Sequence, residues 1–343
     1  MWSEERSRAV WARMVLRQIA PAFLYDPRYR VNVIDFGLPE RQQSTDERPT
    51  LRFHVTEKMS EHRLESAGIE RVPRQIGEFT TDVIEGVYYP QVWPWWPAVQ
   101  PPAGSPQSRF EKLRGGISIS DVRHISAGTL GGLVRDRATG EEMILSNWHV
   151  LVVEWWARPG LRICQPGRLD GGLPHDVVAR LTRDAMRSGL DAAVATLTGH
   201  RALINDQLTL GPVDGVARPE LGMQLVKAGR TTGVTHGIVT GIEGYARLWY
   251  GSVQRVIRHV MTIVPAVTRR DVSKAGDSGS WWLDEATNNA VGLHFAGSDS
   301  PEQGLAMDMT AVLDALGVDV VTERPLPAAR RWIEAARMEV MRR

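Results

Sequence analysis

The chain has 343 residues, 43% of them hydrophobic and 24% charged, and a formal net charge of +1. This length favours more than one domain, and this charge excludes a strong field that would attract nucleic acid or an anionic membrane. The single cysteine, Cys164, cannot form an intramolecular disulfide. We therefore expect a reducing compartment and a cytoplasmic location.

The first 115 residues predict a small unit ahead of the main domain. A helix is expected over 1–22, where apolar residues recur at helical spacing and Pro21 ends the pattern. Three β-rich runs indicate a small α/β domain over 23–90. Residues 91–115 are dense in proline and predict an extended linker. The N-terminus lacks the apolar core of a secretory signal, and no run is long enough to cross a membrane.

Residues 116–318 predict a domain that is mainly β. Short apolar runs alternate there with Gly, Asp, Asn and Pro, which is typical of a barrel or a sandwich. Residues 309–316 are expected to be helical. The last segment, 319–343, predicts a C-terminal helix whose arginines alternate with glutamates, as on a docked surface helix rather than a nucleic-acid arm.

The sharpest motif is KAGDSGSWW at 274–282, which places Ser278 between Gly276 and Gly279. A nucleophilic serine needs a tight turn that aims backbone N–H groups at the oxygen of the attacked carbonyl, and glycine permits such a turn. We predict Ser278 as the nucleophile and the N–H groups of Gly276 and Ser278 as the oxyanion hole. Four turn residues of this kind also occur in ordinary loops, so the motif alone is ambiguous.

Two further motifs complete a catalytic triad. An apolar strand runs into SNWH, which places His149 at the end of the strand, and Asp191 opens the run LDAAVATL. Each has a structural alternative, a packed core histidine and a strand-opening turn aspartate. A buried carboxylate, however, is costly unless it is paired, and an imidazole N–H satisfies it. The order His149, Asp191, Ser278 is that of the chymotrypsin type.

Several ordered motifs make the chain resemble the trypsin-like (chymotrypsin-fold) serine peptidase family, closest to its intracellular bacterial and plant members. The similarity covers about 116–318, and 23–90 resembles, less specifically, the segment that precedes the barrels in that subgroup. The motifs that carry the resemblance are AGTLGGLVRD at 127–136, LSNWHVL at 145–151, DAAVA at 191–195, KAGRTTGVTHGIVTG at 227–241, GDSGS at 276–280 and VGLHFAGS at 291–298.

The resemblance implies two six-stranded antiparallel barrels, over about 116–215 and 216–318, with the active site between them. It implies that Ser278 attacks a peptide carbonyl while His149 moves the proton and Asp191 orients the imidazole. Because an unperturbed histidine titrates near pH 6.5, activity is expected to rise through about pH 6–7.5.

The resemblance also locates the substrate. The strand VGLHFAGS, through Phe295, Ala296 and Gly297, is expected to pair with a peptide substrate as an added strand. Val272 is expected at the base of the specificity pocket and would favour a small or apolar residue, although the neighbouring Asp271 would reverse that preference. His294 is not expected to act as a base.

The chain departs from the secreted members of this family at Asp277. In those relatives the corresponding aspartate pairs with an N-terminus that cleavage has freed. We expect an arginine or backbone N–H groups to replace that partner, in an enzyme that is active as folded or is switched on by a regulatory protein at its N-terminal domain. The nine histidines and one cysteine show no metal-ligand spacing, and no cofactor is expected.

Two other functions stay open at this stage: a peptide-binding scaffold without turnover and an esterase-type acyl hydrolase that uses the same triad.

Overall fold

The computed structural model describes residues 2–40, 48–91, 101–268 and 270–322, and these are mainly β, as predicted. The α-helices of this part are α1 (Trp2–Leu24), α2 (Glu61–Ala67), α3 (Trp148–Leu151) and α4 (Met309–Leu316), with 3₁₀ turns at Arg168–Asp170 and Met186–Ser188. The strands up to the end of the first barrel are β1 (Val31–Gly37), β2 (Thr50–Val55), β3 (Gln75–Ile76), β4 (Phe79–Glu85), β5 (Tyr89–Pro90), β6 (Leu113–Gly115), β7 (Ser118–Asp121), β8 (Gly128–Thr129), β9 (Gly132–Asp136), β10 (Glu142–Ser146), β11 (Arg162–Cys164), β12 (Val177–Asp184), β13 (Ala193–Leu197) and β14 (Leu203–Gln207). The remaining strands are β15 (Gly215–Val216), β16 (Gln224–Gly229), β17 (Gly233–Tyr250), β18 (Val253–Pro265), β19 (Trp281–Asp284), β20 (Asn289–Asp299), β21 (Glu302–Asp308) and β22 (Val318–Val320).

Two sets of six antiparallel strands form the body of the molecule. In the first, the order is β9, β10, β13, β12, β11 and β7. In the second, the order is β16, β19, β20, β21, β18 and β17, and β17 pairs again with β16, so this barrel closes on itself. The predicted fold class of two six-stranded antiparallel barrels is confirmed.

The N-terminal segment continues the sheet of the second barrel. Strand β1 pairs antiparallel with β17, and β2, β4 and β3 extend the sheet beyond it. Helix α1 packs against these strands through one stripe at four-residue spacing, Ala12, Leu16, Ala20 and Leu24, all at most 1% exposed. Such spacing places the four side chains on one helix face.

Helix α1 does not end at Pro21, as the sequence predicted, but continues to Leu24. A proline in the last turn removes one backbone donor and leaves few residues to disturb beyond it. The carbonyl of Pro21 still accepts a hydrogen bond from Tyr25 N–H at 3.1 Å, which closes the final turn.

A buried ion pair lies where the N-terminal strands meet the second barrel. The Arg52 guanidinium donates two hydrogen bonds to the Asp35 carboxylate, at 2.6 and 2.5 Å, and the Thr262 hydroxyl of β18 donates a third at 2.6 Å. Burial acts to raise the pKa of Asp35, but the charge of Arg52 and the further interactions with Arg52 and His54 together outweigh it and hold that pKa well below its usual range. A buried carboxylate satisfied in this way fixes the position of the strands around it.

The structure describes the predicted linker and the predicted C-terminal helix only in part. Residues 92–100 of the linker and 323–343 of the predicted C-terminal helix lie outside the described residues. In the described part of these segments, Leu113–Gly115 forms β6. Val318–Val320 forms β22 against β9, because its β-branched residues favour a strand over the helix expected from 319. The helix expected at 309–316 is confirmed as α4. No helix in the described part of the chain is long and apolar enough to span a bilayer.

Candidate active site

His149 and Asp191 are brought together by two paired strands. His149 lies in α3, which follows β10 directly, and Asp191 precedes β13, which pairs antiparallel with β10. The imidazole Nδ1 lies 2.5 Å from Asp191 Oδ2, and the backbone N–H of His149 donates to Asp191 Oδ1 at 3.1 Å. The Tyr250 hydroxyl of β17 donates to the same carboxylate at 2.8 Å. Three donors therefore satisfy a carboxylate that is completely buried.

Ser278 lies in the loop between β18 and β19, in a turn that requires glycine. Gly276 and Gly279 both have φ of +98°, and a Cβ on Gly279 would come within 2.1 Å of the Thr129 carbonyl oxygen. The hydroxyl of Ser278 donates to the backbone carbonyl of Phe295 at 3.2 Å. The turn is therefore built as the sequence predicted, with its hydroxyl directed to β20.

Gly128 lies close both to Val150, the residue after His149, and to the backbone of Ser278. A Cβ on Gly128 would meet a side-chain methyl of Val150 at 2.5 Å and the carbonyl oxygen of Ser278 at 3.1 Å. His149 Nε2 is buried and has no hydrogen-bond partner among the described residues. The structure thus joins His149 to Asp191 directly, whereas Ser278 is bonded to Phe295 and not to the imidazole.

The Gly276 N–H group, predicted as an oxyanion donor, already has an acceptor. It donates to the backbone carbonyl of Gln91 at 2.7 Å. Thr129, in the AGTLGG motif of the first barrel, holds the same loop: its hydroxyl donates to the Gly276 carbonyl at 2.9 Å, and its N–H donates to the Ser278 carbonyl at 2.8 Å. The loop is therefore fixed from the neighbouring barrel.

Asp277 has the side chain of Lys227 as its partner. Lys227 Nζ of β16 lies 3.1 Å from Asp277 Oδ2, and both side chains are fully buried. The N–H groups of Thr231, Thr232 and Lys274 also donate to the carboxylate, at 2.8, 3.1 and 3.0 Å. The backbone donors match the expectation for Asp277, but the cation is a lysine where an arginine was expected. Burial acts to raise the pKa of Asp277, but the Lys227 charge and the hydrogen bonds from Thr232, Lys274 and Thr231 together outweigh it, so that pKa is lowered.

The predicted substrate-binding residues of β20 contact another segment of the same chain. Ala296 pairs with Pro90 and Gly297 with Tyr89, and the Phe295 carbonyl accepts a hydrogen bond from Gln91 N–H at 3.3 Å. Val272, predicted at the base of the pocket, is completely buried, and its N–H donates to Glu302 Oε1 at 2.8 Å.

His294 of β20 places a polar group beside these residues, where the sequence analysis expected an apolar pocket. Its Nε2 lies 2.8 Å from Gln91 Oε1, and its Nδ1 accepts a hydrogen bond from the Trp282 indole N–H at 3.3 Å. Burial, reinforced by the charge of Lys227, lowers the pKa of His294 to about 3. The ring is therefore neutral at pH 7, with its proton on the nitrogen that faces Gln91.

Sequence reasoning missed four residues of this site, Lys227, Thr129, Tyr250 and Gln91, and the contacts of a fifth, His294. Lys227 and Thr129 lie in quoted motifs, so their place was visible although their contacts were not. Tyr250 and Gln91 carry no local signal, because both reach the site through long-range strand pairing. Among the described residues, no group of three or more His, Cys, Asp or Glu side chains could hold a metal ion.

Comparison with known proteins gives likeness in fold only. No family model matches the chain, and no curated protein matches it. Solved structures similar to it are Thermobifida fusca protease A (17% identity, TM-score 0.46), a Nocardiopsis protease (16%, 0.47) and Cellulomonas bogoriensis chymotrypsin (18%, 0.46). Each match covers 62% of this chain and 99%, 100% and 99% of the other, respectively. At these values the likeness assigns no activity to this chain.

Proposed function

We propose that the protein is a serine endopeptidase that hydrolyses peptide bonds through Ser278, His149 and Asp191. The observation that carries the proposal is a buried imidazole, oriented by a buried carboxylate, whose second nitrogen has no partner among the described residues. Val150, the residue after this histidine, and the Ser278 carbonyl both lie close to Gly128, and the loop of Ser278 binds a peptide carbonyl through Gly276 N–H. These groups supply a base, a nucleophile and an oxyanion donor.

In the proposed reaction the Ser278 hydroxyl leaves the Phe295 carbonyl and donates to His149 Nε2. Its oxygen attacks the scissile carbonyl, the proton passes to His149, and the imidazolium then protonates the leaving amine. Asp191 holds the imidazole in the tautomer that has its proton on Nδ1 and stabilises the imidazolium. Water hydrolyses the acyl-enzyme with His149 again as base, which restores Ser278.

Protein or peptide substrates fit this site because β20 offers backbone groups to an extended chain. We also propose a cytoplasmic location, since the single cysteine, Cys164, is buried and cannot form a disulfide within the chain. A regulatory protein partner at the N-terminal domain belongs to the same proposal, and α2, which has no buried residue, is the element there that is open to contact.

A fluorophosphonate probe tests the proposal. We expect covalent labelling that is lost in Ser278→Ala and in His149→Ala, and a fall in peptide turnover on the order of 10⁶ in Ser278→Ala, by analogy with other triads. Ser66→Ala, an exposed serine of α2, is the matched control and should label normally.

Two outcomes would favour other functions. A folded protein that does not label, even when the segment paired with β20 is displaced, would be a peptide-binding scaffold. Labelling with rapid turnover of lipid esters and none of peptides would indicate an acyl hydrolase.

A further inference from the structure

Residues Tyr88–Gln91 occupy the cleft along β20 as a peptide strand. Strand β5 runs antiparallel to β20, with Tyr89 opposite Gly297 and Pro90 opposite Ala296. The next residue, Gln91, donates its N–H to the Phe295 carbonyl at 3.3 Å and accepts the Gly276 N–H on its own carbonyl at 2.7 Å. The segment therefore uses the backbone groups that a bound peptide would need.

The direction of this strand brings one peptide carbonyl to the catalytic loop. The carbonyl of Gln91 is bonded to Gly276, two residues before Ser278, while the Gln91 N–H shares the Phe295 carbonyl with the Ser278 hydroxyl. A carbonyl that accepts an N–H from the loop of a nucleophile is in the position of a carbonyl to be attacked. The bond in this position is the one that follows Gln91.

The side chain of Gln91 fills a pocket made for an amide or carboxyl oxygen. Gln91 is only 1% exposed, and its Oε1 accepts from His294 Nε2 at 2.8 Å. The Trp282 N–H on the other ring nitrogen keeps the His294 proton facing the pocket. A Cβ at Gly297 would lie 2.4 Å from Gln91 Nε2, so this wall of the pocket leaves room for the amide only because it is glycine.

Buried contacts hold the segment in place from its N-terminal side. The Tyr88 hydroxyl lies 2.7 Å from His54 Nδ1 and also donates to Gln303 Oε1. The hydroxyl of Tyr89 donates to Asp299 at the end of β20. Since His54 lies in β2, the segment is fixed to the N-terminal sheet on one side and to the second barrel on the other.

We propose that Gln91 marks a self-cleavage site, at which the chain cuts its own peptide bond between Gln91 and Val92, with His294 selecting the glutamine. The proposal rests on the serine peptidase activity proposed above. Ser278 Oγ bonds to the Gln91 carbonyl carbon as the C–N bond to Val92 breaks, and the serine proton travels through His149 to the Val92 amine. Water then releases Gln91 as a carboxylate and returns the proton to Ser278.

Cleavage leaves the two parts of the chain together. Residues before Gln91 stay bonded to the second barrel through β1 and β17, so the new carboxyl end of Gln91 remains beside the pocket until it is displaced. The reaction is unimolecular because both partners belong to one chain.

The test follows the intact mass of the purified full-length protein at neutral pH. We expect fragments 1–91 and 92–343, formed at a rate independent of protein concentration and eluting together from a sizing column. Ser278→Ala should stay whole. Gln91→Met, which keeps the side-chain length but leaves the His294 N–H without an acceptor, should slow the cut about tenfold or more, whereas exposed Gln75→Met should not.

The outcomes separate this proposal from the proposed function. A double variant, Tyr88→Ala/Gln91→Ala, removes the side chains that anchor the segment and opens the cleft to the fluorophosphonate probe. Wild-type protein that stays uncut, or is cut elsewhere or only between molecules, while this variant labels at Ser278, overturns self-cleavage and leaves the peptidase standing. No cut and no labelling in either protein would defeat both.

Discussion

The two barrels each place a buried carboxylate beside a proposed catalytic residue, and they satisfy it differently. Asp191 accepts hydrogen bonds from an imidazole, a phenol and a backbone amide, none of which is a permanent cation. Asp277 accepts from backbone amides as well, but it also faces the buried ammonium of Lys227. In the proposed reaction the charge of Asp191 is therefore kept for the imidazolium that forms, whereas the charge of Asp277 already holds the loop.

This contrast predicts that damage to the first carboxylate reduces the rate and damage to the second reduces stability. Three experiments test or sharpen it, and the stability measurements are made in the Ser278→Ala background so that self-cleavage cannot interfere.

The largest effect is expected from Asp191→Asn. The amide keeps the shape of the side chain but favours the wrong imidazole tautomer, so kcat should fall on the order of 10⁴, as for the corresponding change in other triads. Single-turnover kinetics with a peptide substrate measure it. A loss below tenfold would show that Asp191 does not orient His149.

The next effect concerns Lys227→Met, which removes the cation and leaves the Asp277 charge buried. We expect a loss of about 3–5 kcal/mol in the free energy of unfolding, measured by urea denaturation. The matched control is Arg6→Met at the exposed Arg6–Glu220 pair, which should cost less than about 1 kcal/mol. Equal losses at the two sites would contradict a structural role for the buried pair.

The effect that is smallest near neutral pH is the pH dependence of stability at His294. The pKa of this buried ring is lowered to about 3, so between about pH 6.5 and 3 the unfolded chain binds a proton that the folded chain does not. Stability from this group is therefore complete above pH 6.5 and is lost as pH falls, by up to about 1.4 kcal/mol per pH unit. His294→Gln should flatten the measured curve over that range.

The control for this experiment is His62→Gln in α2, an exposed histidine whose curve should coincide with that of the parent protein. If the His294→Gln curve is as steep as the parent curve, the ring is protonated in the fold.

Much of the site could be predicted because its residues lie in local motifs. A short sequence pattern indicates the local backbone conformation at each of three places: the turn at Ser278, the strand before His149 and the aspartate before β13. The pairing of Asp277 with Lys227 could not be read in this way, because these residues meet only when the second barrel closes through β16 and β17. The sequence showed a need for a counter-charge but not which strand supplies it.

The pairing of the segment Tyr89–Pro90 could not be predicted from the sequence. Tyr89 and Pro90 end the small α/β domain expected over 23–90, and the prolines that follow them predict an extended linker. Their pairing with Ala296 and Gly297 joins residues about two hundred positions apart, which no short pattern reports. The expectation of an apolar pocket has a related limit, since it was drawn from the residues around Val272, whereas the polar group that contacts Gln91 comes from β20.

The pairing of β1 with β17 has a consequence for any shortened form of this protein. A fragment that began after Gln91 would expose the backbone donors and acceptors of β17 along residues 241–246, together with apolar surface that α1, β1 and β2 now cover. A free strand border of this kind recruits strands from other molecules and promotes aggregation. We therefore expect the two barrels to aggregate when they are expressed alone, whereas a chain that is cut after folding should stay in solution.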